Sequence, residues 1–400
     1  MAVINSLLDT DLSKLTTAQI VLHMHPDANV RYTFECKNKK KIGHIQEINQ
    51  EIDNLCRLRF TDKELAFLNT FSCFKKDFVE YLRLFQLNRK YINAYLDNDR
   101  RLQIDIEGPW ISAVLFTVPV LAIVNEIYSK YQSINAMGFH SVEDTLDAGE
   151  GRLAKKVEHL TTLLKTGQLS NFKFADFGTC HRYSHYWHNT VIETLKKSLR
   201  SYLFIGTSNV YFAMKHKLNP IGTMGHEWLQ AYQQLGPRLE QCQKAALKDW
   251  IQEFNGEPGI AVSDVLGFNT FLKDFDLYLA KLFDGCQHDS GDPTSWCVKL
   301  IEHYDKLGID PKTKSVMFCD NLDFETAIDL HETLSDMINI TFGIGRDLTH
   351  DVGIVPLQMR FNMVECNGGP VARISDDVNQ LSCPDSRYLT TLKEVFGIED

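Results

Sequence analysis

After residue 170, short apolar segments alternate with segments of helical spacing, and each apolar segment ends in small or polar residues. The apolar segments with their tips read FKFADFGT, YLFIGTSN, NPIGTMGH, GIAVSD, LFDGCQHDSGD, SVMFCDN, ITFGIGRD and FNMVECNG. Repetition of strand, polar tip and helix indicates βα units around a parallel sheet. Seven or eight units predict a closed α/β barrel with its functional residues at the carboxyl ends of the strands, and an open doubly wound sheet is the alternative.

The first 140 residues have a different pattern. RYTFECK (31–37) and RLQIDIEGPW (101–110) alternate like strands, whereas TDKELAFLNTF and FKKDFVEYLRLF have helical spacing. Residues 141–165 open on a capping box at Ser141 and are predicted to form a helix. We therefore expect a mixed α+β domain over residues 1–140, joined by part of 355–400, and the barrel over residues 141–354.

Composition narrows the class of protein. A formal net charge of −10 argues against nucleic acid or an anionic membrane as the main partner. The ten cysteines form no C-x-x-C pair, which fits reduced thiols better than a disulfide framework. The apolar stretch ISAVLFTVPVLAIV (111–124) is too short to span a bilayer and contains Pro119, so we expect a buried core segment. The N-terminus lacks the apolar stretch of a signal peptide, and a soluble cytoplasmic protein is the expectation.

The predicted strand tips bring one set of polar groups to one edge of the sheet. These are Thr179, Arg182, Thr207, Ser208, Asn209, His226, Asp264, Asp289, Ser290, Asp292, Asp320, Gly343 and Gly345. Glycines, hydroxyls and backbone N–H groups hold phosphate oxygens, and aspartates close to phosphates suit Mg²⁺. The set predicts a Mg²⁺-dependent reaction on a phosphorylated small molecule. For HDSGDP (288–293), the alternative interpretation is a solvated turn with an Asx cap.

His226 follows a Gly-Thr-x-Gly tip, where a side chain can project into the mouth of a barrel. A histidine in that position can act as a general base or as a nucleophile that accepts a phosphoryl group. Glu227 is placed to orient the ring. The alternative is a hydrogen-bonded histidine with a structural role only.

Nine motifs occur in the order found in nicotinate phosphoribosyltransferases. They are SLLDTD (6–11), FGT (177–179), GTSN (206–209), GTMGHEW (222–228), GIAVSD (259–264), HDSGDP (288–293), DNLD (320–323), FGIG (342–345) and VECNG (364–368). The chain resembles this family from about residue 5 to 395. The resemblance implies a dimeric α/β protein with an irregular (β/α) barrel of the type II phosphoribosyltransferase kind and a mixed α+β N-terminal domain.

The resemblance also implies a reaction and roles for individual residues. Nicotinate and phosphoribosyl pyrophosphate give nicotinate mononucleotide and pyrophosphate, with coupled hydrolysis of ATP. His226 would be phosphorylated by ATP, and Asp289 would support catalysis and Mg²⁺. Gly343 and Gly345 would hold the ribose 5-phosphate. The remaining substrate-binding residues would be Ser13, Lys14, Gly178, Thr179, Arg182, Thr207, Ser208, Asp264, Ser290, Asp320 and Arg346.

Several positions depart from the family pattern. Where the family has Phe-Gly-Thr-Arg-Arg-Arg, this chain has Cys180 and His181 before Arg182, so that one arginine remains to bind an anion. Ser13 stands where the family has a tyrosine that stacks on the pyridine ring. Arg346 and a protonated His181 are candidate replacements for the missing cations. Gln287, Asn362 and Gln380 are further departures.

These departures leave two other functions open. The first is a diverged phosphoribosyltransferase that uses another base, and the second is a regulatory or binding protein without catalysis. A metal site is a separate possibility. If a helix follows FGT, His181, His185 and His188 share one face and are candidate ligands for Zn²⁺ or another divalent metal. An exposed polar helix face is the alternative interpretation.

Overall fold

The structure is a computed structural model that describes residues 2–38, 40–135, 141–257, 259–319, 321–377 and 381–398. Within these ranges the strands are β1 (Asn29–Cys36), β2 (Ile92–Leu96), β3 (Leu102–Pro109), β4 (Phe174–Asp176), β5 (Phe204–Thr207), β6 (Asn219–Pro220), β7 (Ile260–Val262), β8 (Gly285–His288), β9 (Ser315–Phe318), β10 (Asn339–Ile344), β11 (Met359–Cys366) and β12 (Gly369–Pro370). They form two sheets that differ in strand direction.

The helices pack against both sheets. They are α1 (Leu12–Met24), α2 (Ile45–Arg57), α3 (Asp62–Leu68), α4 (Lys76–Leu84), α5 (Trp110–Asn135), α6 (Val142–Thr166), α7 (His185–Ser198), α8 (Val210–His216), α9 (His226–Leu235), α10 (Cys242–Phe254), α11 (Phe268–Asp274), α12 (Leu277–Leu282), α13 (Pro293–Lys306), α14 (Phe324–Leu334), α15 (Arg346–Thr349) and α16 (Ser386–Phe396). Short 3₁₀ turns connect several of them.

The larger sheet is parallel and curls into the predicted α/β barrel. Its strand order is β6-β5-β4-β10-β9-β8-β7, so each strand lies beside its neighbour in sequence and β10 returns to pair with β4. That return excludes an open doubly wound sheet. The barrel is not fully closed, because between β6 and β7 the N–H of Met224 donates to the carbonyl of Ile260 at 3.4 Å without a regular ladder. All carboxyl ends of the strands meet at one edge.

FNMVECNG, the last of the eight apolar segments, is not a βα unit of the barrel. The segment forms β11, which pairs antiparallel with β1 in a second sheet of order β12-β11-β1-β3-β2. The reason is the turn that follows it. Asn367 and Gly368 have φ values of 49° and 78°, which turn the chain back into β12 instead of into a crossover helix.

The apolar stretch at 111–124 lies in the core, as predicted, but the expectation that it is too short to span a bilayer did not include the helix around it. It belongs to α5, which is 26 residues long. Residues 110–133 are long and apolar enough to cross a membrane, yet 89% of the apolar window is buried within the protein. Trp110, Val114 and Phe116 have no solvent exposure. Packing in the core of this protein therefore accounts for the apolar character of α5.

Local capping chemistry sets the ends of α6, as the sequence predicts. The hydroxyl of Ser141 accepts a hydrogen bond from the N–H of Asp144 at 3.1 Å, which satisfies one free donor at the start of the helix. Gly167 ends the helix in the left-handed region at φ 82°, where a side chain would be strained. The helix therefore begins and ends where its own sequence dictates.

A buried ion pair fastens the segment before α1 to the barrel. The guanidinium of Arg182 forms two hydrogen bonds with the carboxylate of Asp9, at 2.6 and 2.9 Å, and both side chains are at most 1% exposed. Asn209 donates to the same carboxylate at 2.7 Å. Burial acts to raise the pKa of Asp9, but Arg182 outweighs it and holds the pKa below its usual value. The pair positions α1 over the carboxyl ends of β4 and β5.

We expect Arg182→Met to lower the free energy of unfolding by about 3–5 kcal/mol, because it leaves the Asp9 carboxylate buried and unpaired. Urea denaturation measures the change. The double variant Asp9→Asn/Arg182→Met should be less destabilised, since the carboxylate at position 9 is no longer left buried and unpaired. Arg83→Met, which breaks an exposed ion pair with Glu80, is the control and should cost at most about 1 kcal/mol. A loss below 1 kcal/mol for Arg182→Met would contradict this role.

Candidate active site

His226 lies between two carboxylates at the mouth of the barrel. It is the first residue of α9, and its Nε2 lies 2.9 Å from Oδ1 of Asp264 and 3.0 Å from Oδ2 of Asp289. Asp264 follows β7 by two residues and Asp289 follows β8 directly. Pairing of the parallel strands β7 and β8 therefore brings the two carboxylates together beside the histidine.

The carboxylates hold a positive charge on the histidine ring. Burial and the guanidinium of Arg373 act to lower the pKa of His226, but Asp264 and Asp289 outweigh them and raise it to about 9. The Nε2 contacts have ion-pair distances without a well-aligned hydrogen bond. The side chain of His226 remains 21% exposed. The imidazolium can thus be reached from the cleft.

Arg373 completes this cluster, and the sequence analysis missed it. Its Nη2 contacts the carboxylate of Asp264 and lies 3.4 Å from Oδ2 of Asp289. Ser290 donates its hydroxyl hydrogen to Asp264 at 3.1 Å. Arg373 follows β12 in the antiparallel sheet, so a search restricted to the barrel tips could not find it. Its only signal in the sequence is a cation shortly after the VECNG motif.

The cluster faces a large cleft of about 770 Å³ between the barrel tips, α1 and β11. A smaller cavity of about 140 Å³ continues behind His226, toward the Gly-Thr-x-Gly tip. The residues that line both are Asp11, Ser13, Lys14, Phe177, His226, Glu227 and Gln287. The two spaces therefore form one site with a wide outer part and a narrow inner part.

The predicted site residues fall into three groups. Those that line the large cleft are Ser13, Lys14, His226, Asp289, Gly345 and Arg346, while Ser208 lines the small cavity. Asp264 and Ser290 lie behind His226 and Asp289. Gly178, Thr179, Thr207 and Gly343 do not line either space. Asp320 and Gln380 lie outside the described residues.

The four residues that line neither space support the strand tips from behind. The hydroxyl of Thr207 donates to the buried carboxylate of Asp176 at 2.6 Å, and Thr179 has no solvent exposure. A Cβ atom at Gly178 would overlap the side chain of Thr349, and one at Gly343 would lie 2.9 Å from the sulfur of Cys319. These residues shape the loops, and the prediction that they contact substrate is not supported by their burial.

Arg182 was predicted to be the remaining anion-binding arginine, and the structure contradicts this. Its side chain has no solvent exposure and its guanidinium pairs with Asp9. The prediction failed because the two residues are 173 positions apart. Sequence spacing gave no sign that a carboxylate would reach Arg182 from the N-terminal segment.

The cleft is nevertheless rich in cations, contrary to the expectation from the lost arginines. The cationic residues that line it are Lys14, Arg152, Arg346, Arg360 and Arg373. The predicted positive charge on His181 is wrong, since burial and nearby Arg346 lower the pKa of His181 to about 3. Lys14 lies 2.6 Å from Glu227, so this carboxylate positions the lysine and not the histidine ring.

The predicted metal site on His181, His185 and His188 does not form. His181 belongs to a 3₁₀ turn at Thr179–His181, and α7 begins four residues later, so the three rings do not share a helix face. His188 lies 2.7 Å from Oδ2 of Asp176 with both side chains fully buried. In the described part of the chain, the one group with ligand atoms close enough for a metal is His226, Asp264 and Asp289.

Comparisons with known proteins agree over the whole chain. Residues 172–400 match the model of the nicotinate phosphoribosyltransferase family, and residues 8–125 match that of its N-terminal domain. Nicotinate phosphoribosyltransferases of Ralstonia nicotianae and Cupriavidus necator are each 45% identical to this chain. The alignments cover 99% of this chain, 100% of the Ralstonia protein and 99% of the Cupriavidus protein.

Solved structures show the same relationship. The crystal structure of nicotinate phosphoribosyltransferase from Vibrio cholerae superposes with a TM-score of 0.93 at 34% identity, covering 100% of this chain and 94% of that one. The enzyme from Porphyromonas gingivalis gives 0.86 at 26% identity, covering 99% of this chain and 100% of that one. With the fold, the order of the motifs and the full-length identity in agreement, the chain belongs to the nicotinate phosphoribosyltransferase family.

Proposed function

We propose that the protein is a nicotinate phosphoribosyltransferase, which forms nicotinate mononucleotide and pyrophosphate from nicotinate and phosphoribosyl pyrophosphate. The observation that carries the proposal is His226, held between Asp264 and Asp289 where a large cleft meets a small cavity. The full-length relatives named for this activity favour it over a non-catalytic binding role.

The sizes of the two spaces suit the two substrates. A cleft of about 770 Å³ lies within the usual range for ligand pockets, and its five cations suit the phosphates of phosphoribosyl pyrophosphate. The small cavity of about 140 Å³ admits a single ring but not a nucleotide. Phe177 lines both spaces and offers an aromatic face at their junction, which Ser13 does not. We place nicotinate in the small cavity.

Charge compensation explains how the cleft promotes transfer. Glycosyl transfer passes through a state in which the sugar gains positive charge while the leaving group gains negative charge. Lys14 at the junction and Arg373 in the large cleft stabilise negative charge on the leaving pyrophosphate. Nicotinate then meets the sugar carbon from the small cavity, on the side opposite to the departing pyrophosphate.

Mg²⁺ is the proposed cofactor, and the carboxylates present fit it. Asp289 is 23% exposed at the cleft, and Oδ1 of Asp264 lies beside it, 2.9 Å from Nε2 of His226 without a well-aligned hydrogen bond. Mg²⁺ prefers carboxylate and phosphate oxygens, so these two residues would hold it. When bound, it would neutralise charge on pyrophosphate. Formation of a homodimer and a cytoplasmic location are proposed from the family resemblance.

ATP is the proposed co-substrate, with His226 as the phosphoryl acceptor. A ring nitrogen attacks the terminal phosphorus of ATP, an N–P bond forms and ADP leaves; hydrolysis of that bond later releases phosphate. The attacking nitrogen needs a free lone pair, so the ring first loses a proton. Asp264 and Asp289, whose own pKa values are lowered, hold the ring as a cation, so this proton is released to solvent. The partial exposure of the ring supports access by ATP.

We expect His226→Ala to abolish ATP coupling and leave slow transfer without ATP. Labelling with ATP that carries ³²P in the terminal phosphate should yield acid-labile protein phosphate in the wild type and none in the variant. His159→Ala removes a half-exposed histidine away from the cleft and is the matched control. Coupled turnover or acid-labile label in His226→Ala would contradict the assigned role.

The pH behaviour of His226 tests its carboxylate neighbours directly. The ring should titrate near pH 9 in the free protein, because Asp264 and Asp289 stabilise its cation. Asp289→Asn removes one negative charge and should lower the pKa by about one unit or more. Asp292→Asn is the control, since this aspartate of the same motif caps α13 through the N–H of Ser295. Histidine NMR titration measures the pKa of His226 in both variants. Equal pKa shifts in Asp289→Asn and Asp292→Asn would refute the role of Asp289.

Ser208 lines the small cavity but not the large cleft. Ser208→Val removes the hydroxyl that donates to Asp11 at 2.7 Å and narrows the cavity that both residues line, so the KM for nicotinate should rise about tenfold. The KM for phosphoribosyl pyrophosphate should change less than threefold. Steady-state kinetics with each substrate varied in turn measures the two constants. The reverse pattern would show that nicotinate binds elsewhere.

A further inference from the structure

Gln287 is a buried polar residue at the junction of the large cleft and the small cavity. In β8, Cys286 before it contacts the hydroxyl of Tyr304. His288 after it packs edge-on against Trp296, and both of these partners belong to α13. Because side chains alternate along a strand, Gln287 points the opposite way, into the barrel. It lines both spaces and is 6% exposed.

The side-chain amide of Gln287 has an acceptor that the protein leaves unsatisfied. Its Oε1 is buried without a hydrogen-bond partner in the described part of the chain. The residues that pair with Gln287 in the neighbouring strands are Val262 and Met317, whose side chains have no hydrogen to donate. Turning the amide around exchanges its oxygen and nitrogen and puts a buried donor in the same place. A ligand at the junction is therefore the partner that this amide requires.

The ionisable residues that line the small cavity already balance one another. They are Asp11, Lys14, His226 and Glu227. Lys14 lies 2.6 Å from Glu227, and His226 lies between two carboxylates at 2.9 and 3.0 Å. Asp11 adds a further carboxylate, which accepts the hydroxyl hydrogen of Ser208 at 2.7 Å. Among these residues, an anionic base that enters the small cavity meets no cation that lacks a counterion.

A neutral amide on the pyridine ring suits this environment better than a carboxylate does. Burying a charge is costly unless a counterion pairs with it, and a neutral group avoids that cost. A carboxamide also has a donor and an acceptor side by side, as Gln287 does, so the two amides can form two hydrogen bonds. A carboxylate can accept from Nε2 of Gln287, but it leaves Oε1 without a donor. Gln287 thus distinguishes between the two groups.

We propose that the protein also transfers the phosphoribosyl group to a neutral pyridine carboxamide, and that Gln287 recognises the amide. The inference rests on the proposed function, because it uses the same sugar donor and the same cavity for the base. The ring nitrogen attacks the anomeric carbon, a C–N bond forms, and the C–O bond to pyrophosphate breaks with its electron pair leaving on pyrophosphate. No proton is transferred, and the product is a mononucleotide with a pyridinium ring and an intact amide.

Product analysis of the wild-type protein tests the activity. The protein receives phosphoribosyl pyrophosphate, ATP and Mg²⁺ with either nicotinate or nicotinamide, and mass spectrometry distinguishes the acid mononucleotide from the amide. We expect both products, with kcat/KM for nicotinamide at most about a hundredfold below the value for nicotinate. A larger deficit would overturn the inference.

Two substitutions test the role of Gln287. Gln287→Leu removes both hydrogen bonds with little change in volume, so kcat/KM for nicotinamide should fall about tenfold more than kcat/KM for nicotinate. Gln287→Arg supplies charge-assisted hydrogen bonds to a carboxylate and should shift the ratio of the two constants by about tenfold or more toward nicotinate. This ratio does not depend on the fraction of protein that is folded. Equal changes for the two bases in either variant would refute recognition by Gln287.

Gln230→Leu is the matched control. Gln230 is also buried, but it lines the large cleft and not the small cavity, and its Nε2 donates to the carbonyl of Met363 at 3.5 Å. The ratio of the two constants should change by less than about threefold, since Gln230 does not meet the base.

The products also separate the inference from the proposed function. If nicotinate mononucleotide forms and the amide product does not, the inference fails and the proposed function stands. If the amide product alone forms, nicotinate is refuted as the substrate and the recognition of the amide stands. If neither product forms, both are refuted.

Discussion

Parallel pairing of the barrel strands is the constraint on which the site depends. Because β4 to β10 run in the same direction and β10 returns to β4, residues from distant parts of the chain meet at one edge. Asp264 and Asp289 approach the same ring nitrogen of His226 for this reason alone. The chemistry of the cleft is thus a consequence of strand direction, and the antiparallel sheet contributes the second wall through β11.

The barrel and most of its strand positions could be predicted from the alternation of apolar segments and polar tips. His226, Asp289 and Gly345 were found in this way, since each directly follows a strand or tip, whereas Arg346 was named from its departure from the family pattern. Arg373 could not be found in this way, because it follows a strand of the antiparallel sheet and reaches the cluster around His226 through tertiary packing. Contacts between distant parts of the chain also explain why the prediction for Arg182 was wrong. Whether an arginine such as Arg182 faces a ligand or a buried aspartate depends on contacts that spacing does not encode.

Another cation lies close to the positions where the chain lacks the arginines of the family pattern. Cys180 and His181 replace two arginines after β4, yet β10 is hydrogen-bonded to β4 and places Arg346 beside the same part of the cleft. Burial raises the pKa of the Cys180 thiol to about 12, so neither replacement carries charge at neutral pH. A cation therefore lies at the tip of β10, next to the tip of β4 from which two arginines are missing.

The break between β6 and β7 has a consequence for the histidine that sits beside it. With no regular ladder on that side, the position of α9 depends on side-chain packing and not on strand register. Trp228, with no solvent exposure, stacks on Trp110 at 5.8 Å and donates its indole hydrogen to the carbonyl of Ala246 at 2.9 Å. The Trp228 indole therefore holds the His226 ring in position. A smaller side chain at position 228 would displace the imidazole while every strand of the barrel stayed in place.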